Sequence, residues 1–251
     1  MKKCVINFSD GGGNGGGVGQ QRLFDSLIWT GFKDPIFLWK DHKDLGCPSH
    51  KEVPYGFKPY ALQRAYEEGF ELVFWCDASV WAIKSTDSVF EYLQNHSHLF
   101  FYNACLGAYT SDACLTGFNI DRDAAIQMPM IMGICMGFNL TNPVTREFLK
   151  QWLAKAKDGF SFQGSHWNDQ YQVSKDSRCN GHRHDQSVSS IIACNLGMKE
   201  LLIAHQTFLA YWQPEVIEKT DSIVFAAQGI PSSPALNEWR SQRTKSCGGI
   251  L

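Results

Sequence analysis

From Glu71 to Ser79 the chain reads ELVFWCDAS, an unbroken apolar run that stops at an acid. A strand with one wet face alternates polar and apolar residues. A strand without that alternation is covered on both faces, as in the central parallel sheet of an α/β protein. That requirement constrains the rest of the chain, because helices must lie on both sides of the sheet. The remaining patterning supplies them. KKCVINFSD (2–10) reads as a first buried strand ending in an acid, and GQQRLFDSLIWTGF (19–32) as a helix with Leu23, Leu27 and Ile28 inward and Gly31 as its stop. DPIFLWKD (34–41) reads as the next strand, HKDLGCPSHKEVPYG (42–56) as a loop, and KPYALQRAYEEG (58–69) as a helix with Pro59 in its first turn and Leu62, Ala65 and Tyr66 on one face. After the central run come a helix capped at Thr86 (86–96), a strand HLFFYN (98–103), a less regular stretch (104–132) and a strand GICMGFNL (133–140). TNPVTREFLKQWLAKAK (141–157) has a cap, a proline and Val144, Phe148 and Trp152 in register. A long polar stretch (158–184) then leads to a helix DQSVSSIIACNLG (185–197) and a mixed tail.

The expectation is a three-layer α/β/α sandwich with a mostly parallel central sheet, in one domain over residues 1–251. In such sheets ligands bind beyond the carboxyl ends of the strands, which draws attention to Asp10 and Asp77. Net charge is −2, so no basic field argues for nucleic acid as partner. Nine cysteines, an odd number with no C-x-x-C pair and several in apolar runs, fit buried reduced thiols. No run approaches the ~20 apolar residues that cross a bilayer, and the apolar stretch after MKK is short for a signal peptide. These features lead us to expect a soluble, cytoplasmic protein.

Three segments could carry chemistry. In SDGGGNGGGVGQ (9–20), Gly11, Gly13 and Gly16 satisfy G-x-G-x-x-G between a strand and a helix, with Asp41 ending the following strand. That is compatible with a dinucleotide, although a loop so rich in glycine meets the pattern almost by default. FWCDASVW (74–81) sets Asp77, Ala78 and Ser79 at the end of the buried strand, where an acid is costly unless paired or metal-bound. GHRHDQSVSS (181–190) offers His182 or His184 as a metal ligand and Asp185 as a general base or metal neighbour; the other reading makes Asp185 a helix cap and leaves the histidines exposed. Lys58, in the first turn of its helix, could meet a phosphate or belong to a solvated face.

Taken in order, VINFSD, the helix QQRLFDSLIWTGF, YGFKPYALQRAYEEGFELVFWCDASV, MGFNLTNPVTREFLKQW and HRHDQSVSSII resemble a glycosyltransferase of the GT-A fold, over roughly residues 3–200. The resemblance implies a UDP- or GDP-sugar donor held by about residues 1–103, and a glycan or other hydroxyl acceptor met by about 104–251. Asp10, Gly11, Lys58, Asp77, Ala78, Ser79 and Gly137 would contact the donor, with Gly133 and Gly137 letting its sugar approach the backbone. Asp77 matches the first Asp of D-x-D, and Ser79 stands where the second would bind Mn²⁺ or Mg²⁺. Asp77, Ser79 and His184 would be the metal ligands, and Asp77 and Asp185 the catalytic acids, Asp185 as base. Serine is a poor sole ligand for a hard cation. Two other readings stay open: an NAD(P)-dependent oxidoreductase using the glycine loop and Asp41, and a transferase-like binding protein without catalysis. In the transferase reading the glycine loop is mobile and orders when donor binds.

Overall fold

A computed structural model of the protein describes residues 1–11, 16–213, 217 and 220–227. Gly13 of the glycine loop and the tail 228–251 lie outside the described residues.

The chain opens with β1 (Lys3–Phe8), α1 (Gly16–Trp29) and β2 (Ile36–Trp39). Next come a one-turn helix α2 (His42–Leu45), where a loop was expected, then α3 (Phe57–Glu67) and β3 (Leu72–Cys76). β4 (Val80–Ala82), α4 (Asp87–Asn95) and β5 (His98–Cys105) follow. The irregular stretch after β5 resolves into α5 (Asp112–Phe118), α6 (Arg122–Ile126) and β6 (Pro129–Ile131). β7 (Cys135–Asn139), α7 (Pro143–Asp158), α8 (Asp185–Asn195), β8 (Leu201–Ile203), β9 (Phe208–Tyr211) and β10 (Ile223–Ala227) complete the order.

The main sheet runs β2-β1-β3-β7-β5-β6, with β8 paired to β5. β1 is parallel to both β2 and β3, β7 lies antiparallel between β3 and β5, and β6 and β8 flank β5 antiparallel and parallel. β2, β1, β3, β5 and β8 therefore all point one way, against β7 and β6. The expected mostly parallel sheet is present.

β3 explains itself by its period of two. Val73 and Trp75 enter one core with Ile6, Phe138, Leu62 and Ala65 of α3, Phe148 and Trp152 of α7, and Ile191 of α8. Leu72, Phe74 and Cys76 enter the opposite core with Leu23 and Leu27 of α1 and Phe90 and Leu93 of α4. Both faces are covered, so neither can be polar. Each large side chain buried this way stabilises the fold by roughly 1.5–3 kcal/mol.

Some expected core positions lie outside. Ile28, Tyr66 and Val144 are exposed, each one residue off the face its helix turns inward. The tail past 200 finishes the fold. β9 and β10 join β4 in a second sheet, ordered β4-β10-β9, that packs beside α1 through Val80, Ala82 and Phe225. The eight cysteines among the described residues are all free thiols, as expected.

Because β1 and β3 are parallel with Ile6 opposite Trp75, their carboxyl ends finish together. The segments Ser9–Asp10 and Asp77–Ser79 leave the sheet there, and a cleft opens between them.

Candidate active site

A cavity of about 400 Å³ lies at these strand ends, lined by Phe8, Ser9, Asp10, His50, Tyr55, Phe57, Asp77, Ala78 and Ser79. Asp10, Asp77, Ala78 and Ser79 come together there as the sequence suggested. Phe8, His50, Tyr55 and Phe57 were not anticipated; they arrive from the end of β1 and from the segment entering α3. Asp10 lies 3.3 Å from the His42 ring. Gly11 follows with φ of +79°, a turn glycine tolerates, but it is not among the lining residues.

Behind the cavity wall lies a buried chain of charge. Lys58, in the first turn of α3, sets its ammonium 5.3 Å from the centre of the Trp75 ring and among three acceptors. These are the Asp185 carboxylate at 2.8 Å, the Gly133 carbonyl at 2.8 Å and the Asp77 carboxylate at 3.3 Å. Three acceptors match the three N–H groups of an ammonium. Only 3% of the Lys58 side chain is exposed, so it is neither on a solvated face nor lining the cavity for a phosphate. Burial disfavours its charge, but Asp185 and Asp77 more than offset this and hold its pKa above the ordinary lysine value. Asp185 is pushed the other way: burial raises its carboxyl pKa, Lys58 opposes, and Asp77 adds to the rise.

Asp77 is held by its own strand. The Trp75 indole N–H donates to Asp77 Oδ1 at 2.7 Å. Residues two apart on a strand share a face, so W-x-D could have been read from the sequence as this contact. The Asp77 amide donates to Ile134, which carries the β3–β7 pairing past the last strand residue and sets Gly133 beside Asp77. A Cβ at Gly133 would stand 2.7 Å from Asp185 Oδ2 and 3.1 Å from Lys58 Nζ, so glycine is needed for the chain to close here. Gly137 behaves differently. It lies in mid-β7, where a Cβ would strike Leu93 and Leu99, so its lack of a side chain serves the α4 core and not the site. The expected donor contact at Gly137 is thus corrected, because it faces the opposite layer.

The segment before α8 brings His182 and His184 inward, with structural partners. His182 accepts from the Ser111 amide through Nδ1 and donates to the Ser161 carbonyl through Nε2; burial pushes its pKa down to about 3. His184 donates from Nδ1 to the Phe162 carbonyl and stacks on Tyr55; burial lowers its pKa too. Among the described residues no group of three His, Cys, Asp or Glu is disposed to hold a metal. His184 is not among the residues lining the cavity that Asp77 and Ser79 share, so the three expected ligands do not meet there. Asp77 already spends one oxygen on Trp75 and Lys58, which leaves a single free carboxylate oxygen and one hydroxyl. A hard divalent cation needs a fuller oxygen set, so these residues do not fit a protein-built Mn²⁺ or Mg²⁺ centre. Asp41 caps α2 by accepting from the Lys43 amide, and so serves a local purpose outside the cavity.

A mixed three-layer sheet with an acid-lined cavity beyond the ends of β1 and β3 defines a class: the chain has the GT-A glycosyltransferase fold. It is similar to a glycosyltransferase involved in the glycosylation of the major capsid of PBCV-1, with a TM-score of 0.53 and 11% identity over 96% of this chain and 100% of that one. It is also similar to the WbbM bifunctional glycosyltransferase, with a TM-score of 0.51 and 9% identity over 93% of this chain and 46% of that one. No protein-family model matches the sequence, and no curated protein is similar to it. At 9–11% identity the likeness establishes the fold. No helix among the described residues is long and apolar enough to cross a membrane.

Proposed function

We propose that the protein is a glycosyltransferase that moves a sugar from a UDP- or GDP-sugar to an acceptor hydroxyl, with the donor in the Asp10–Asp77 cavity. One observation carries the reading: Asp77 faces that cavity while being anchored from behind to Lys58, which is itself paired to Asp185. A carboxylate restrained by Trp75 and Lys58 is pre-organised, so its orientation costs little when a substrate arrives. Residues 1–103 supply every lining residue of the cavity, in keeping with a nucleotide-binding first half and an acceptor-side second half.

In this reading Asp77 is the carboxylate that meets the donor, and Ala78 and Ser79 offer backbone and hydroxyl groups beside it. Tyr55, Phe8 and Phe57 give the cavity apolar walls suited to a base or ribose face. Asp185 is only 2% exposed and its carboxylate is paired to Lys58. Those facts favour a positioning residue for Lys58 and Asp77 over the general base that the resemblance implies. The reading routes no step through a metal ion, given the donor set described above.

The oxidoreductase reading loses its acidic partner, since Asp41 is a helix cap. Binding without transfer keeps one observation in its favour, the serine at position 79 inside the cavity.

A thermal-shift panel tests the reading. A ligand at ~100 times its Kd adds about 2.7 kcal/mol, or about 5–11 °C for a chain of this size. Stabilisation by at least one UDP- or GDP-sugar and not by NADH or NADPH is expected. Stabilisation by the dinucleotides alone would reverse the assignment.

A further inference from the structure

The long polar stretch before α8 has no regular strand, yet it is firmly built. The Asn168 side chain donates to the Ser174 and Cys179 carbonyls and accepts from the Val173 and Ser174 amides. The Asn168 amide donates to the Asn180 carbonyl at 2.9 Å, and the His182 amide to Ser165 at 3.0 Å. A Cβ on Gly181 would lie 2.0 Å from the His166 carbonyl oxygen, so the two arms of this loop approach closely only because residue 181 is glycine. Between these fixed points Trp167 is 54% exposed. The guanidinium of Arg183 lies over the Trp167 ring at 4.6 Å and the Tyr109 ring at 4.7 Å, and one of its N–H groups donates to the His166 carbonyl. A hydrogen-bonded framework thus presents a tryptophan to solvent.

Its location gives it meaning. Aromatic and imidazole rings form a continuous line from the cavity to this ledge. Phe8 to Phe57 is 4.5 Å between centroids, Phe57 to Tyr55 6.1 Å, Tyr55 to His184 5.7 Å, His184 to His166 6.3 Å and His166 to Trp167 5.2 Å. The line passes Tyr55, whose surroundings include Asp77, Lys58, Asp185 and Arg183. Arg183 itself stands two residues before Asp185. The ledge is thus joined to the cavity through successive ring contacts by way of Tyr55.

We propose that Trp167, with Arg183 and Tyr109, forms the subsite for a neutral pyranose ring of the acceptor. This rests on the transferase reading of the cavity. The apolar C–H face of a pyranose matches the exposed indole surface, which binds through area at little conformational cost. The guanidinium N–H groups beside it meet ring hydroxyls and fix the sugar's orientation.

The experiment is saturation-transfer NMR on the full chain, with the methyl α- and β-hexopyranosides of glucose, galactose and mannose as probes. It is run on wild type, Trp167→Ala and Trp167→Phe, with unfolding temperature as the check on folding. At least one glycoside should show saturation concentrated on the C–H protons of one ring face. Trp167→Ala should cut it at least fivefold, and Trp167→Phe should retain most of it. No saturation in wild type, or undiminished saturation in Trp167→Ala, overturns the subsite. The two readings fail separately. Sugar nucleotides that stabilise the protein while Trp167→Ala saturates like wild type would remove the ledge and leave the transferase. A Trp167-dependent glycoside signal in a protein that no sugar nucleotide stabilises would overturn the acceptor role and the transferase reading together.

Discussion

Replacing Lys58 with methionine is the perturbation that most exposes the logic of the site. The ammonium sits 2.8 Å from Asp185 and 3.3 Å from Asp77, and both Lys58 and Asp185 side chains are 3% exposed. Methionine fills similar space but leaves Asp185 buried without its counter-charge. Removing one partner of a buried pair costs about 3–5 kcal/mol, or about 6–20 °C in Tm for a chain of this length. The cost should depend on pH with a definite sign. Without Lys58, burial and Asp77 raise the Asp185 carboxyl further above its unfolded value. A group raised on folding contributes stability below its unfolded pKa and loses it as pH rises toward its folded pKa. The deficit of Lys58→Met should therefore be largest at the alkaline end of the range and shrink as pH falls and Asp185 takes up a proton. Adding Asp185→Asn removes the stranded charge, so the double variant should be more stable than Lys58→Met alone at pH 8. Urea unfolding followed by tryptophan fluorescence at pH 5, 7 and 8 reads all three proteins. A cost below about 1 kcal/mol at pH 8, or a double variant no more stable than the single, would refute the buried ion pair as described.

Four further outcomes are expected. Gly133→Ala drives a methyl to 2.7 Å from Asp185 Oδ2; it should cost about 1–3 kcal/mol by urea unfolding and lower donor turnover. Phe74→Ala empties the fully buried centre of β3 and should cost about 3–5 kcal/mol in the same assay. Buried His182, with its pKa lowered to about 3, stays neutral when folded; its contribution is complete above about pH 6.5 and is lost on acidification, by roughly 2 kcal/mol at pH 5, and His182→Gln should flatten that part of the pH–stability curve. Because the donor set lacks a second carboxylate, Mn²⁺ or Mg²⁺ without nucleotide should leave Tm unchanged; a rise of several degrees from the metal alone would contradict the assessment of the metal ligands.

Much of the layer order was legible because burial on both faces leaves a mark in single segments. The apolar run of β3 and the in-register Phe148 and Trp152 of α7 are such marks. The exposed Ile28, Tyr66 and Val144 show the limit, since one residue on a helix turns a side chain by about 100°. Asp77 was visible as a costly acid at the end of a buried strand. Lys58 was not, because nothing local distinguishes a lysine in a first helical turn from a solvated one. Only the meeting of α3 with the end of β3, the β6–β7 connection and α8, the last two 75 and 127 residues further along the chain, creates its three acceptors. Gly137 misled for a similar reason: a glycine beside the site and a glycine beneath a helix look the same in a strand. The histidines before α8 looked like ligands and proved to be backbone-bonded struts.

The central claim is that the Asp77 cavity binds a sugar nucleotide and promotes loss of its nucleoside diphosphate. The direct measurement is nucleoside diphosphate release from a panel of UDP- and GDP-sugars, by wild type and by Asp77→Ala at matched folding. The account predicts release from at least one donor by wild type, and a loss of about 100-fold or more in Asp77→Ala. Release unchanged in Asp77→Ala, or no release from any donor, would contradict it.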